Sequence, residues 1–154
     1  MKRIGEYRKM FSATEQTTLK ELKTTYRNLV KEWHPDKFKE GDERAAEVEE
    51  MSRRIIEGYK FLVSLAPETK TANLEAFEKT TSETGIINYD HKGLLLEVTF
   101  GDGNVYEFFG VPKNVYLKFY NSDKQVRFAK RSIFNIYQYR LAKKANDTSE
   151  DQDI

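Results

Sequence analysis

The sequence predicts an α+β protein of two small domains: an N-terminal antiparallel helical hairpin and a C-terminal antiparallel β-meander with a helix. Three observations predict it. Apolar residues recur at steps of three and four from Leu19 to Leu62, the period of a helix with one buried face. From Gly85 onward the texture changes to short β-branched and aromatic runs cut by glycine-containing turns, the pattern of strands and hairpins. Between these regions lies a polar, threonine-rich stretch. The expected divisions are a helical domain over 1–66, a linker over 67–84, an α+β domain over 85–144 and a disordered acidic tail over 145–154. A chain of 154 residues can supply two small cores.

Composition narrows the class. Apolar residues make up 38% of the chain and charged residues 33%, so a core forms beneath a heavily charged surface. The chain has no cysteine, which excludes disulfides, thiol chemistry and cysteine-ligated metal centres. No apolar run is long enough to cross a bilayer, and Met1 to Phe11 lacks the apolar stretch of a signal peptide. A soluble, cytoplasmic protein without membrane partners is the expectation. The net charge of +1 hides an uneven distribution. Residues 85–144 hold ten Lys/Arg against five Asp/Glu, roughly +5, and the last ten residues carry four acids.

The N-terminal elements follow in order. Tyr7, Met10 and Phe11 make a short apolar opening of one or two helical turns. Thr17 or Thr18 is the expected N-cap of the next helix, with Glu21 as capping-box partner. Leu19, Leu22, Tyr26, Leu29, Val30 and Trp33 form its apolar face. Lys20, Lys23, Arg27 and Lys31 occupy the rest of the cylinder, three of them at steps of four, where like charges repel. That stripe reads as a surface for an acidic partner. Pro35 clashes with an α-helical predecessor and donates no hydrogen bond, so the helix stops at about Trp33 or His34. The His34-Pro35-Asp36 turn is then left at an exposed tip. After a polar loop over Lys37 to Asp42, a second helix runs from Asp42 or Glu43 to about Ser64. Its face is Ala45, Val48, Met51, Ile55, Tyr59 and Leu62, with Ile56, Gly58 and Leu65 beside it. Its acids gather in the N-terminal half, where the helix dipole favours them. Joined by a short loop, the two helices pack antiparallel.

Pro67 ends the second helix. Residues 68–84 offer only Leu74 and Phe77 as anchors, which suits a linker with one loosely docked helical segment. Ile86–Tyr89 and Leu94–Phe100 are strands separated by Asp90-His91-Lys92-Gly93. A hairpin around Asp102-Gly103-Asn104 precedes a strand over Val105–Val111. An even loop puts Phe100 on the side of Val105 and Glu107. An odd one pairs Phe100 with Tyr106, so that one face reads Leu94, Leu96, Val98, Phe100, Tyr106 and Phe108. The other face is then Leu95, Glu97, Thr99, Val105, Glu107 and Phe109. Register follows the face that can be buried, which selects the odd loop, three residues with Gly103 or Asn104 left-handed. Pro112 opens a helix over Lys113 to about Tyr120. The stretch from Val126 to Tyr139 fits helix and strand equally.

Tyr26, Arg27, Leu29, Trp33, the run His34-Pro35-Asp36-Lys37 and Glu57-x-Tyr59-x-x-Leu62 together resemble a J-domain, the DnaJ-type cochaperone module, over roughly Lys2 to Ala66. The resemblance implies docking on a DnaK-type heat-shock chaperone and stimulation of its ATP hydrolysis, with the client unknown. By position it implies that His34, Pro35 and Asp36 form the stimulating signature. Lys23, Tyr26 and Arg27 are the implied helix contacts, and Lys20 and Lys31 contribute to steering. Asn28 stands where the family commonly has a second basic residue, and Met51 or Ser52 where a Phe is frequent. No fourth helix is obvious. No Gly/Phe-rich region or zinc-binding repeat follows, so the chain resembles a class C member.

Residues from about Gly85 to Leu141 resemble the KTSC domain, a module also seen at the end of some lysyl-tRNA synthetases. The matching residues are Ile87-x-Tyr89, Leu96-Glu97-Val98-x-Phe100, Val105-Tyr106-x-Phe108, Val111-Pro112 and Tyr137-Gln138-Tyr139-Arg140. Phe108 replaces the second Tyr of the usual Tyr-x-Tyr centre, and Phe134-Asn135 replaces a frequent Arg-Gly pair. The resemblance carries a suggestion of RNA contact, and an RNA-associated adaptor with a degenerate J-domain is the alternative function. If nucleic acid or another anion binds, Lys124, Arg127, Lys130, Arg131, Lys143 and Lys144 are the candidates, because the register puts Tyr106 and Phe108 in the core. With two histidines and no cysteine, a metal site is not expected. No nucleophile–base set or phosphate-binding glycine loop appears. The expectation is a non-enzymatic protein with no cofactor and no small-molecule substrate.

Overall fold

A computed structural model describes residues 2–38, 41 and 43–145. Helices make up its N-terminal part, and a four-stranded antiparallel sheet interleaved with two further helices follows, the α+β class expected. The chain divides into two compact units, the first ending at Thr71 and the second beginning at Ala72.

The first unit opens with three long helices: α1 (Lys2–Phe11), α2 (Leu19–Glu32) and α3 (Ala45–Val63). The opening helix is longer than expected and packs fully, with Ile4 and Phe11 buried. It ends because Ser12 adopts a left-handed conformation (φ 51°). The amides of Ser12 and Ala13 then reach back to the carbonyls of Lys9 and Arg8, 3.3 and 2.8 Å away, a Schellman ending. Gly58 lets α1 approach α3, because a Cβ there would lie 2.9 Å from the Tyr7 ring. Tyr7 packs on Phe61 (5.3 Å) and Phe11 on Tyr59 (6.5 Å). Phe61, buried and absent from the expected face, earns its place by meeting α1 rather than α2.

The expected capping box is present. The Thr18 hydroxyl accepts from the Glu21 amide (3.2 Å), and the Glu21 carboxylate accepts from the Thr18 amide (3.1 Å). The bond from the Thr18 amide, joined by one that the Thr18 hydroxyl donates to the same carboxylate (3.0 Å), holds the Glu21 carboxyl below its ordinary pKa. Helices α2 and α3 run antiparallel. Leu22 lies near Leu62 and Leu65 at one end, and Trp33 near Ser52 and Ile55 at the other. The second helix starts two to three residues later than expected and leaves Ala45 exposed. Asp42 lies outside the described residues.

The linker expectation needs correcting. Pro67–Ala72 is a short helix, α4, and Leu74–Glu83 another, α5. Glu68 on α4 turns its carboxylate to the Leu19 amide (3.1 and 3.2 Å), an anion at the positive end of α2. A fourth helix is therefore present in the first unit. Helix α5 belongs to the second unit, and its Phe77 is 2% exposed. A mostly polar sequence conceals this because Thr80 and Thr81 are buried too, satisfied by Asp102 and by the Phe77 carbonyl.

The sheet is a meander in the order β1 (Ile86–Lys92), β2 (Leu95–Phe100), β3 (Val105–Phe109), β4 (Gln138–Lys143). Asp90, His91 and Lys92, expected as loop, extend β1 to a two-residue turn at Gly93-Leu94. Leu94 is consequently exposed rather than buried. A bulge at Ile87 leaves that side chain outside. The β2–β3 loop is odd, as expected. The Phe100 amide donates to the Asn104 carbonyl (2.9 Å) around Gly101-Asp102-Gly103, with Gly103 left-handed (φ 93°). Val98 rather than Phe100 sits opposite Tyr106, but the parity holds: Leu96, Val98, Phe100, Tyr106 and Phe108 are all buried. On the other face Glu107 and Phe109 are buried as well. Arg140, directly across on β4, forms an ion pair with Glu107.

The undecided stretch contains both structures. Residues Gln125–Ser132 are helix α7, following α6 (Lys113–Tyr120), and β4 comes after. Pro112 caps α6 instead of opening it. Phe77 of α5, Phe119 of α6 and Ala129 of α7 share one cluster with the leucine face of the sheet. Helices therefore cover that face, with Tyr139 stacked on Phe77 at 3.8 Å. The acidic tail, past Ala145, lies outside the described residues.

Candidate functional site

Among the described residues, chemistry-bearing side chains gather in two places, one in each unit. The first is the end of the α2–α3 hairpin. Helix α2 stops at Trp33, whose amide still reaches the Leu29 carbonyl (3.0 Å). Pro35–Lys37 then make one 3₁₀ turn, closed by the Lys37 amide on the His34 carbonyl (3.0 Å). The Asp36 amide donates to Nδ1 of His34 at 3.1 Å. An accepting Nδ1 assigns the ring proton of the neutral imidazole to Nε2. The same Nδ1 lies 3.5 Å from Asp36 Oδ2, and the Asp36 side chain is 91% exposed. A turn whose own groups hold its shape thus presents an exposed carboxylate outward.

An aromatic brace supports the turn. Trp33 stacks on Phe38 at 6.4 Å, and the Arg44 guanidinium lies over both rings, at 5.8 and 5.1 Å. Such cation–π contacts contribute about 0.5–1 kcal/mol each at exposed sites. Phe38 and Arg44 went unnoticed in the sequence, although a phenylalanine inside an otherwise charged loop was a usable signal. Lys20, Lys23, Arg27 and Lys31 are all exposed along α2. Tyr26 differs from them: it is half-buried and stacks on Tyr59 at 4.3 Å. Its ring is as much packing as surface. Among the described residues, Lys23, Arg27 and Lys31 take part in no ion pair, whereas Arg53 on α3 is held by Glu50 and Glu57. One wall of the hairpin is cationic and the other is largely neutralised.

The second place is the corner between α6 and α7. Ser122, Asp123, Lys124, Arg127, Phe128 and Arg131 line an open cleft of about 330 Å³. Arg127 and Arg131 are one turn apart on α7, and Arg131 lies 5.8 Å from the Phe128 ring centre. The structure therefore divides the six expected cations. Lys124, Arg127 and Arg131 converge, while Lys130 is exposed outside the cleft. Lys143 lies at the end of β4 opposite Val105, with Lys144 next to it. Tyr106 and Phe108 are core residues, 2% and 0% exposed, as the register required.

His91 is accounted for structurally, with Nε2 at 2.8 Å from the Val111 carbonyl oxygen and its ring stacked on Tyr116 at 4.5 Å. Among the described residues no group of His, Asp and Glu could hold a metal ion. No described helix is long and apolar enough to cross a membrane.

No curated protein matches the chain. A family model does match the region running from the end of α5 to the residue before β4, which contains three strands of the meander and both helices of the cationic corner. That match covers residues 82–137 and assigns this part of the second unit as a KTSC domain.

Proposed function

We propose that the first unit is a J-domain. On this reading the protein is a cytoplasmic cochaperone that docks on a DnaK-type heat-shock chaperone, stimulates its ATP hydrolysis, and uses its KTSC domain for targeting or for client and partner binding. The observation that carries the reading is the freestanding His34-Pro35-Asp36 turn at the junction of two antiparallel helices, with an exposed cationic row leading to it. The presence of α4 after α3 adds to the likeness.

The physical sequence is simple. Lys20, Lys23, Arg27 and Lys31 accelerate encounter with an acidic surface. Asp36, its side chain exposed, accepts a bidentate bond from a partner arginine. The bond from the Asp36 amide to His34 holds the turn before contact, so little ordering is required on binding. The hydrolysis itself belongs to the chaperone.

Single-turnover ATP hydrolysis by a purified DnaK-type chaperone is the test. Wild-type protein accelerates it, and His34→Gln and Asp36→Asn do not. Equal acceleration by wild type and His34→Gln would refute the reading. A second reading rests on the cleft of Lys124, Arg127 and Arg131: an RNA-associated adaptor whose J-domain is degenerate. It expects no chaperone stimulation, and RNA binding that weakens steeply with salt.

A further inference from the structure

The sheet has an open edge. Among the described residues, β1 pairs with β2 alone. Hydrogen-bond parity tells which backbone groups are left over. The Gly101 amide donates to the Gly85 carbonyl on the β1 side (2.8 Å), and the Leu94 carbonyl accepts from the Gly110 amide on the β3 side (3.0 Å). Leu95, Glu97 and Thr99 therefore bond toward β1, and their partners Lys92, Asp90 and Asn88 spend their own backbone groups on β2. Tyr89 and His91 direct theirs away from the sheet.

Such an edge recruits another strand unless charge or a bulge blocks it. A bulge does lie at Ile87, and it ends the regular edge on that side. The charges beyond it complement themselves. Tyr89 and His91 pack toward α6, their rings 6.3 and 4.5 Å from Tyr116, so Asp90 and Lys92 belong to the opposite face. Within the chain Asp90 lies opposite Glu97, where like charges repel. Among the described residues, Asp90, Glu97 and Lys92 enter no ion pair. Two antiparallel copies of β1 centred on His91 set each Asp90 against the other copy's Lys92. Centring them on Asp90 would oppose two carboxylates, and centring them on Tyr89 would carry the bulge into the pairing.

We propose that β1 is a self-association edge: a second copy of this chain adds its β1 antiparallel, with His91 on the two-fold axis and an Asp90–Lys92 ion pair on each side of it. The inference is independent of both functional readings. The same register sets the second copy's Gly93 opposite Tyr89 and brings its exposed Leu94 beside Tyr120, which is 55% exposed and lies 6.3 Å from the Tyr89 ring. A contact this short falls at the weak end of protein interfaces, so the dimer forms reversibly.

Sedimentation velocity of the full chain over about 5–500 µM, a range suited to weak association, is the test. Wild type is expected to shift from monomer toward dimer as concentration rises. Asp90→Lys opposes two cations on each side of the axis, and Lys92→Asp opposes two carboxylates. Symmetry counts each change twice, so either variant alone is expected to dimerise at least about tenfold more weakly. Mixed in equal amounts, the two variants meet with opposite charges at both positions and recover to within about threefold of wild type. Asp90→Lys also removes the repulsion from Glu97, so its loss of dimer is not a loss of fold, and an unchanged circular dichroism spectrum checks this. A wild-type chain that stays monomeric over the whole range overturns the proposal. Single variants that dimerise like wild type, or a mixture that fails to recover, overturn it as well.

Discussion

Phe77→Ala tests the reassignment of α5 from linker to core. The Phe77 ring is 2% exposed and meets four others: Tyr139 at 3.8 Å, Tyr106 at 5.1 Å, Phe134 at 6.2 Å and Phe108 at 6.3 Å. Truncating a buried phenylalanine costs about 3–5 kcal/mol, the upper end applying where the surrounding structure cannot collapse into the cavity. Here the neighbours are rings fixed by the sheet and by the segment that follows α7, so the upper half of that range is expected. A substitution on a tether would stay within about 0.5 kcal/mol. For a unit of this size each kcal/mol lowers Tm by roughly 4–8 °C, which predicts a fall of at least about 15 °C. Near-UV circular dichroism follows the transition, because six of the nine tyrosines lie in this unit. A urea midpoint corresponding to a loss below about 1 kcal/mol, at unchanged m, would refute the placement of α5 in the core.

Three further outcomes follow from the geometry. Burial pushes the Tyr139 hydroxyl up to about 12 from its ordinary value of 10.0. The folded state favours the neutral phenol, so this contribution is complete below pH 10 and declines as pH rises toward 12; alkaline titration of Tyr139→Phe shows a shallower loss of stability over that interval. Ser12→Gly relieves a left-handed serine and stabilises the first unit by up to about 1 kcal/mol, read from chemical denaturation. On the cochaperone reading, Asn28→Arg adds a cation to the exposed row and lowers the half-saturating concentration for DnaK by up to about fivefold, the scale of one exposed ion pair.

Local rules were legible wherever one interaction outweighs its rivals. Thr18 and Glu21 announced the start of α2 because a reciprocal pair of capping bonds has few competing uses. Pro35 announced its end by steric exclusion. The parity of the β2–β3 loop followed from one requirement, that Phe100 and Tyr106 share a dry face. What stayed hidden depended on partners far along the chain. Thr80 and Thr81 are polar by composition, and only Asp102 and a helix carbonyl make their burial tolerable. Glu107 reads as an outer residue until Arg140, 33 positions later, is found opposite it. Asp90 to Lys92 looked like a loop because edge strands tolerate polar side chains. At the candidate sites, the turn and its cations were visible in sequence. Phe38 and Arg44 were not, since each matters through what surrounds it in three dimensions.

The aromatic brace has a practical corollary. Trp33 is the sole tryptophan of the chain, and it stands one residue from His34 with Phe38 and Arg44 beside it. Its indole emission therefore reports on the neighbourhood of that histidine in unlabelled protein, free of background from any second indole. Whatever engages the bend can be followed through the colour and anisotropy of that one native fluorophore.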